Sequence, residues 1–282
     1  MRYLSDQQFY FVHIPKNGGQ SVRNAMARAG TLSFAPLAQD MGVDNDAAAA
    51  LSEEGFDHPS LGKIHPAHLP LWALQDAFAA SWAAFEQSTS LALTREPRAR
   101  FMSALMQRLK EFRGAGAIRA DDPQVAQEAA AVCEWLAARD RHADLDYVHF
   151  IRQVDFTDID GTRRVDGVFP MARADIAAQW LGARTGLVLD ITHDHARRQP
   201  KPWARAIQPV ARFAGRNLMP RGLKRAMHPL WMKSGVFSDA AKGYDAVELG
   251  TDVEAFIKEY YAADAALHVS AQQAAAALEP AQ

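Results

Sequence analysis

The residues of this sequence best suited to bind an anion follow its first apolar segment. Residues 9–14 are aromatic and β-branched, which predicts a buried strand. Lys16 comes next, followed by the paired glycines Gly18 and Gly19, and residues 20–29 have helical character. Glycines let the backbone approach a ligand closely, and the N–H groups at a helix start attract negative charge. With the Lys16 ammonium, this turn predicts a site for a phosphate or sulfate group. A tight turn with an exposed lysine is the alternative interpretation.

The order of residues in this turn is unusual for a nucleotide-binding loop. In nucleotide triphosphatases, the lysine follows the last glycine, and a Ser or Thr comes next to hold magnesium. The order Pro-Lys-x-Gly-Gly-x-Ser, from Pro15 to Ser21, instead resembles the 5′-phosphosulfate loop of sulfotransferases that use 3′-phosphoadenosine 5′-phosphosulfate (PAPS), especially their carbohydrate-type branch. Asn17 and Gln20 stand where that family commonly has threonine, and both can donate to an oxyanion. The resemblance implies the cofactor-binding residues Lys16, Asn17, Gly18, Gly19, Gln20 and Ser21.

A second motif places an arginine at the end of a predicted strand. Residues 91–94 (Leu-Ala-Leu-Thr) predict a strand, and Pro97 suits the first turn of the helix that follows. This arrangement resembles the 3′-phosphate motif of the same sulfotransferases, and Arg95 and Ser103 match its arginine and serine. An arginine can hold a phosphate through two parallel N–H bonds, and a serine hydroxyl adds a neutral donor. From the residues alone, a solvated strand-end charge and a helix-surface hydroxyl are the alternatives.

Two histidines flank Pro66 in a short segment of the chain. His65 and His68 lie off any regular apolar face, and for such a pair alone, surface or turn positions are the default interpretation. Two histidines across a proline also make a poor zinc site, and we expect no metal. In sulfotransferases related to the uronosyl 2-O-sulfotransferases, a histidine after the second strand is proposed as the catalytic base. That resemblance implies His68 as the base, with His65 as its substitute, because imidazole accepts a proton near neutrality.

A later segment also contains a histidine and a glutamine. His149 and Gln153 resemble a His-x-x-x-Gln element of the family that is associated with acceptor or core contacts. We interpret both as structural residues, with acceptor contact as the alternative.

Composition limits the class of protein. The chain has 282 residues, 49% of them hydrophobic, so it can bury a sizeable core. Its net charge of −2 gives no general reason to expect nucleic acid as a partner. The single cysteine, Cys133, excludes an internal disulfide framework and fits a reducing compartment. The N-terminal residues predict no signal peptide, and no apolar run approaches the length of a membrane span, so we expect a cytoplasmic protein.

The positive charge is concentrated in residues 197–233. This stretch has ten Lys and Arg residues with no Asp or Glu among them, and its five prolines exclude long helices. This basic stretch has three possible interpretations: a solvated loop, a patch that contacts a membrane surface or an anionic polymer, or a flap over an anionic cofactor or acceptor.

The predicted elements alternate between strands and helices, which favours an α/β fold with a parallel sheet flanked by helices. We expect residues 31–61 to form a loop with one short helix, and a helix from Pro123 to about residue 141. Thr251 and Glu254 predict a capping box at the start of the last helix. Residues 1–269 are predicted to form one domain, and residues 270–282 an Ala/Gln-rich tail that is frayed or disordered. The resemblance implies the sulfotransferase version of the P-loop nucleoside triphosphate hydrolase-like fold.

Taken together, the motifs indicate a transferase. The resemblance implies in-line transfer of a sulfuryl group from PAPS to a hydroxyl of a carbohydrate-like acceptor, with 3′,5′-adenosine bisphosphate (PAP) as product and no metal. Two alternatives stay open. One is a kinase-like P-loop protein with a degenerate loop, and the other is a non-catalytic protein that binds a nucleotide.

Overall fold

The structure is a computed structural model that describes residues 2–113, 122–191, 198–200, 237–239 and 247–279. The chain divides into two compact units. The first comprises Met1–Thr192 with Glu248–Gln282, and the second comprises His193–Val247. Within the described ranges, no helix is both long and apolar enough to cross a membrane.

The elements of the first unit alternate along the chain. Its described strands are β1 (Arg2–Leu4), β2 (Phe9–Val12), β3 (Phe56–His58), β4 (Gly62–Ile64), β5 (Thr89–Thr94), β6 (Asp158–Ile159), β7 (Thr162–Arg163) and β8 (Gly167–Pro170). Its described α-helices are α1 (Gly19–Ala29), α2 (Ala35–Met41), α3 (Asn45–Glu54), α4 (Leu71–Ala77), α5 (Ala79–Glu86), α6 (Pro97–Arg113), α7 (Pro123–Ala137), α8 (Ala174–Thr185), α9 (Thr251–Tyr260) and α10 (Ala262–Ala277).

The main sheet has the strand order β1-β2-β5-β8, and β2, β5 and β8 run parallel. This confirms the α/β class with a parallel core. The edge strand β1 is antiparallel to β2, which corrects the expectation of a parallel sheet. The connection from β1 to β2 is only four residues long, and a parallel pair needs a crossover of a dozen residues or more. Because the central strands are parallel, the segments that follow β2, β5 and β8 leave the sheet at one edge.

Alternation along the strands separates two buried clusters. Tyr10 and Val12 of β2 point to one face, and Phe9 and Phe11 point to the other, as the period of two requires. The first face packs against side chains of α4 and α10, including Leu71, Leu74 and Leu267. The second face packs against α1 and α8 through Val22, Met26, Ile176 and Leu181. Helices therefore cover both faces of the sheet.

The segment 31–61 contains more structure than the sequence indicated. Instead of a loop with one short helix, it contains α2, α3 and β3. Asp44 caps α3 by accepting a hydrogen bond from the Ala47 N–H at 2.8 Å, and an alanine run favours the helix behind it. In the described residues, the extended segment at β4 pairs with β3 and not with the main sheet. Asp122 does cap α7, as expected, but that helix ends at Ala137.

The C-terminal helices correct two expectations. The N-cap of α9 is Gly250, with no side-chain cap, and Thr251 is the first helical residue, so the predicted capping box is wrong. Glu254 pairs instead with Arg98, whose Nη2 lies 2.7 Å from its Oε1. Helix α10 continues to Ala277 and buries Ala271 and Ala275, so residues 270–277 are helical and are not the frayed or disordered tail that we expected.

The second unit is described only at two short strands and at Val247. β9 (Arg198–Pro200) pairs antiparallel with β10 (Phe237–Asp239). Except for residues 198–200, the basic stretch 197–233 lies outside the described residues, and its three interpretations stay predictions.

Candidate functional site

The segment from Pro15 to Ser21, called the anion loop below, joins β2 to α1 and has a backbone shape suited to an anion. Lys16 has φ 69° and Gly18 has φ 75°, both in the left-handed region. A left-handed lysine is uncommon, and such conformations concentrate at functional sites. Gly18 is the N-cap of α1, and the first N–H groups of a helix have no partner inside the helix. The amides of Gly19 and Gln20 can therefore donate to a ligand, as in other helix-start anion sites.

Helix α6 holds this turn from one side. Arg100, which is 2% exposed, donates from Nε to the Pro15 carbonyl at 3.1 Å, and Lys16 donates from Nζ to Gln107 Oε1. Residues three and four apart share one face of a helix, so Ser103 lies between Arg100 and Gln107 on the face turned toward the turn. The predicted serine is thus brought beside the anion loop, where it is 8% exposed.

Arg95 also reaches the loop. It directly follows β5, and its guanidinium Nη1 donates to the Lys16 carbonyl at 3.3 Å. The two motifs, 79 residues apart in sequence, therefore meet at one sheet edge. Each motif carries one cation, and a ligand with two separate negative groups could contact both.

Two of the expected loop donors have other partners. The Asn17 side chain is 1% exposed, and its Nδ2 donates to the Leu93 carbonyl at 2.7 Å and to Gln153 Oε1 at 2.6 Å. Both hydrogens of the amide are used, so Asn17 can offer a ligand only its backbone N–H. Gln20 is exposed and donates to Asn24 Oδ1 at 3.0 Å. The side chains expected to replace the family's threonines thus bond within the protein.

A cluster of four histidines lies beside the loop. His68 is its centre, with ring centroids 4.3 Å from His13, 4.6 Å from His65 and 6.3 Å from His149. His68 donates from Nδ1 to the His13 carbonyl at 2.9 Å. Because a carbonyl only accepts, this bond fixes the proton on Nδ1 and leaves the lone pair on Nε2. In this tautomer, His68 can accept a proton at Nε2.

Burial keeps these imidazoles neutral. It lowers the pKa of His65 from 6.5 to about 4 and that of His149 to about 3, the latter with help from the Lys16 charge. Burial, together with neighbouring positive groups, also holds the pKa of His13 and of His68 well below 6.5. A general base must be unprotonated before it acts, and all four side chains meet that condition at neutral pH.

Sequence reasoning missed His13 and its contact with the anion loop. His13 falls within an apolar run and carries no motif, yet a Cβ atom on Gly19 would lie 2.0 Å from its Cδ2 and Nε2 atoms. The absence of a side chain at Gly19 therefore lets the imidazole lie directly against the start of α1. The signal that could have identified His13 is its close packing against Gly19, and that contact is known only once the fold is known.

Two further residues support the loop: Gln153, which the sequence analysis named, and Asp264, which it did not. Gln153 is fully buried and bonds to both Asn17 and Arg95, and Asp264 of α10 accepts from the Gln153 N–H at 2.8 Å. Gln153 thus has the hydrogen-bonding structural role given to it from sequence. Burial raises the pKa of Asp264 to about 6.

Recesses on the described surface include the following three. One lies at the start of β5, lined by Glu86, Ser90, Arg163, Arg164 and Asp166, and one follows α8, lined by Gly182, Leu187 and Leu189. The third lies beside His13, between Ala67 and Leu74. Of these three, only the last borders the candidate site. In the part of the chain that the structure describes, no group of three His, Cys, Asp or Glu residues is arranged to hold a metal ion.

Fold and site together define an α/β protein whose turn between β2 and α1, at the carboxyl edge of the parallel strands, has a backbone geometry suited to an anion. The chain matches no protein-family model, and comparison with curated proteins and with solved structures finds no match.

Proposed function

We propose that this protein is a sulfotransferase that moves a sulfuryl group from PAPS to a hydroxyl of a carbohydrate-like acceptor. One observation carries the proposal: the loop with Lys16 and the strand end with Arg95 meet at one edge of the sheet, with His68 beside them. A donor with charged groups at its 5′ and 3′ positions needs two separate cationic contacts. Ser103, on the face of α6 turned to the loop, adds a neutral donor for the 3′-phosphate.

Each residue of the site then has a defined role. PAPS supplies an activated sulfuryl group on its 5′-phosphate. The Lys16 ammonium and the amides of the α1 first turn stabilise negative charge that develops as the bond from sulfur to the phosphate oxygen breaks. His68 accepts the acceptor's hydroxyl proton at Nε2 while that oxygen forms its bond to sulfur. Positioning and electrostatics supply the catalysis, as in phosphoryl transfer. The free, buried Cys133 supports a reducing, cytoplasmic setting for this activity.

A non-catalytic protein that binds a nucleotide is the second candidate. It is favoured by the internal bonding of the Asn17 side chain, because a loop that offers fewer side-chain donors stabilises a transition state less well. The kinase-like alternative would need a magnesium-binding Ser or Thr after the lysine, and Asn17 stands there.

Binding of the reaction product tests the donor site. Calorimetric titration with PAP, ATP and AMP should show selective binding of PAP, because only PAP carries a 3′-phosphate for Arg95. We expect Arg95→Ala to weaken the binding of PAP at least tenfold and to change the affinity for AMP less. A hydrogen bond to a charged group contributes about 1.5–3 kcal/mol, and this variant loses such a contact to the 3′-phosphate.

Arg98→Ala is the matched control for this titration. Arg98 is three residues away but pairs with Glu254, so its loss removes the same charge without removing a site contact. Equal affinities for ATP and PAP, or no binding of either, would contradict the proposed donor.

Lys16 provides the test that separates catalysis from binding. We expect Lys16→Ala to reduce the rate of PAP formation from PAPS, measured with a panel of carbohydrate acceptors, by about 10²–10³-fold, the usual effect of removing one electrostatic stabiliser. The exposed Lys63 in β4 gives the control variant Lys63→Ala. If the wild type binds PAP but transfers sulfate to none of the acceptors, the non-catalytic alternative is favoured.

A further inference from the structure

We propose that Gln153 is a positioning residue that locks the anion loop to the Arg95 strand end, so that both halves of the site are fixed before a ligand binds. The inference rests on the proposed function only for the identity of the ligand. The locking itself is a property of the fold.

The carboxamide of Gln153 joins two segments that are distant in sequence. Its Oε1 accepts from Asn17 Nδ2 at 2.6 Å and from the Arg95 backbone N–H at 2.9 Å. Its Nε2 donates to the Arg95 carbonyl at 2.8 Å. Both peptide groups that flank Arg95 in the chain are therefore held by one side chain, and that same side chain holds Asn17 of the loop.

Such a link is rigid because it is dry and held by several hydrogen bonds. Gln153 is 0% exposed and Asn17 is 1% exposed, so water cannot replace a lost partner without rearrangement. Of the carboxamide atoms of these two residues, Asn17 Oδ1 alone has no hydrogen-bond partner, and the other three are bonded in an interior where losing such a bond costs free energy. A shift of Gln153 must therefore move the loop, the strand end or both.

Asp264 anchors the link from the opposite side. Its carboxylate, also 0% exposed, accepts from the Gln153 N–H at 2.8 Å and from the Val154 N–H at 3.0 Å. The Gln153 backbone is thereby tied to the first turn of α10. Asp264 of α10 thus holds the Gln153 backbone, and the Gln153 side chain holds Asn17 of the loop.

A leucine at position 153 keeps the size of the side chain and removes its bonds. We expect NMR-detected hydrogen exchange of Gln153→Leu to accelerate at least tenfold at two amides: Arg95, which loses its acceptor, and Ser21, whose N–H closes the loop by bonding to the Gly18 carbonyl at 3.1 Å. No contact between the Ser21 amide and Gln153 is observed. Faster exchange at Ser21 would therefore show that the loop is coupled to Gln153, and would not reflect the loss of a hydrogen bond at Ser21 itself. Faster exchange at Arg95 alone, with Ser21 unchanged, would overturn the proposal.

Ser90→Ala is the matched control because Ser90 lies on the same strand at its other end. Its hydroxyl donates to Asp166 Oδ2 at 2.7 Å and accepts from the Asp166 N–H at 3.0 Å, so this variant also loses buried bonds. It should leave the exchange of Arg95 and Ser21 unchanged. If Gln153→Leu does not fold, Asn17→Ala removes the loop side of the link, and exchange at Ser21 should still accelerate at least tenfold. Unchanged exchange at Ser21 in Asn17→Ala would equally overturn the proposal.

Ligand affinities separate this inference from the proposed function. The preference of the wild type for PAP over AMP should fall at least fivefold in Gln153→Leu and persist in Ser90→Ala, because only PAP needs the loop and Arg95 together. A preference unchanged in Gln153→Leu would contradict the positioning role. If the wild type binds neither nucleotide, the proposed function fails, and the exchange result alone decides the role of Gln153.

Discussion

The protein should lose stability steeply as the pH falls from 6.5 to 4. Six buried or partly buried histidines have a pKa in the folded state below the usual 6.5: His13, His65, His68, His142, His149 and His268. Below pH 6.5, the unfolded chain takes up protons on these side chains and the folded state does not. The unfolded state is therefore stabilised as the pH falls, until the folded pKa values are reached.

The size of this effect follows from the shifts. Burial lowers the pKa of His65 and of His142 to about 4, and one pKa unit corresponds to about 1.4 kcal/mol, so each contributes at most roughly 3 kcal/mol at pH 4. Asp264 acts in the opposite direction, because its raised pKa of about 6 makes the folded state hold a proton that the unfolded chain releases. Asp155 acts in the same direction as Asp264, because burial also raises its pKa, but two carboxyls do not offset six imidazoles. The net result is a loss of several kcal/mol, of the order of the whole stability of a typical domain.

His142 is the residue with which to measure this effect. It is 8% exposed, both its ring nitrogens are buried without a hydrogen-bond partner, and it packs edge-on to Trp135, away from the candidate site. In urea unfolding, His142→Leu should differ little from the wild type at pH 7.5 and be about 2 kcal/mol more stable at pH 4.5. Parallel curves of unfolding free energy against pH for the two proteins would show that His142 is not held neutral by the fold.

Local sequence patterns predicted the elements that position the site. The apolar run before Lys16, the glycines after it and Pro97 each constrain their own neighbours, so β2, the turn and α6 lie where expected. The meeting of Lys16 with Arg95 also follows from sequence, because parallel strands release their carboxyl ends at one edge.

The support beneath the site was beyond sequence reasoning. Gln153 bonds to Asn17 across 136 positions, and Asp264 bonds to Gln153 across 111, and neither pairing leaves a periodic pattern or a local motif. The capping box failed for a related reason. Glu254 forms an ion pair with Arg98, so a tertiary contact takes the side chain that the local motif needed.

Replacement of Gly19 by alanine should destabilise the protein, although the higher helix propensity of alanine alone would stabilise it. Gly19 begins α1, where alanine is favoured over glycine by up to about 1 kcal/mol, and Gly19 does not have a positive φ. The new Cβ, however, would lie 2.0 Å from two atoms of the His13 ring. An aromatic ring cannot compress, so either the His13 ring must move away from position 19 or the first turn of α1 must shift. Overpacking destabilises by about 1–3 kcal/mol, which exceeds the helix preference for alanine, so we expect a net loss of about 1–2 kcal/mol in urea unfolding.

Two comparisons make this result specific to the site. Gly167→Ala creates a similar collision, with a Cβ 2.6 Å from the Trp180 ring, at the edge of the sheet opposite the loop. It should lower stability but leave PAP affinity intact, whereas Gly19→Ala should weaken PAP at least tenfold, because the first turn of α1 must move.

The collision itself is tested by adding His13→Ala to Gly19→Ala. Removal of the ring frees the space that the new methyl group needs, so the double variant should be more stable than the sum of the single changes predicts, by about 1–2 kcal/mol. Additive losses would mean that Gly19→Ala acts on the loop backbone alone. In that case, the histidine cluster and the anion loop would be neighbours without mechanical coupling, and His68 would have to be placed by the His13 carbonyl rather than by the packing of the His13 ring.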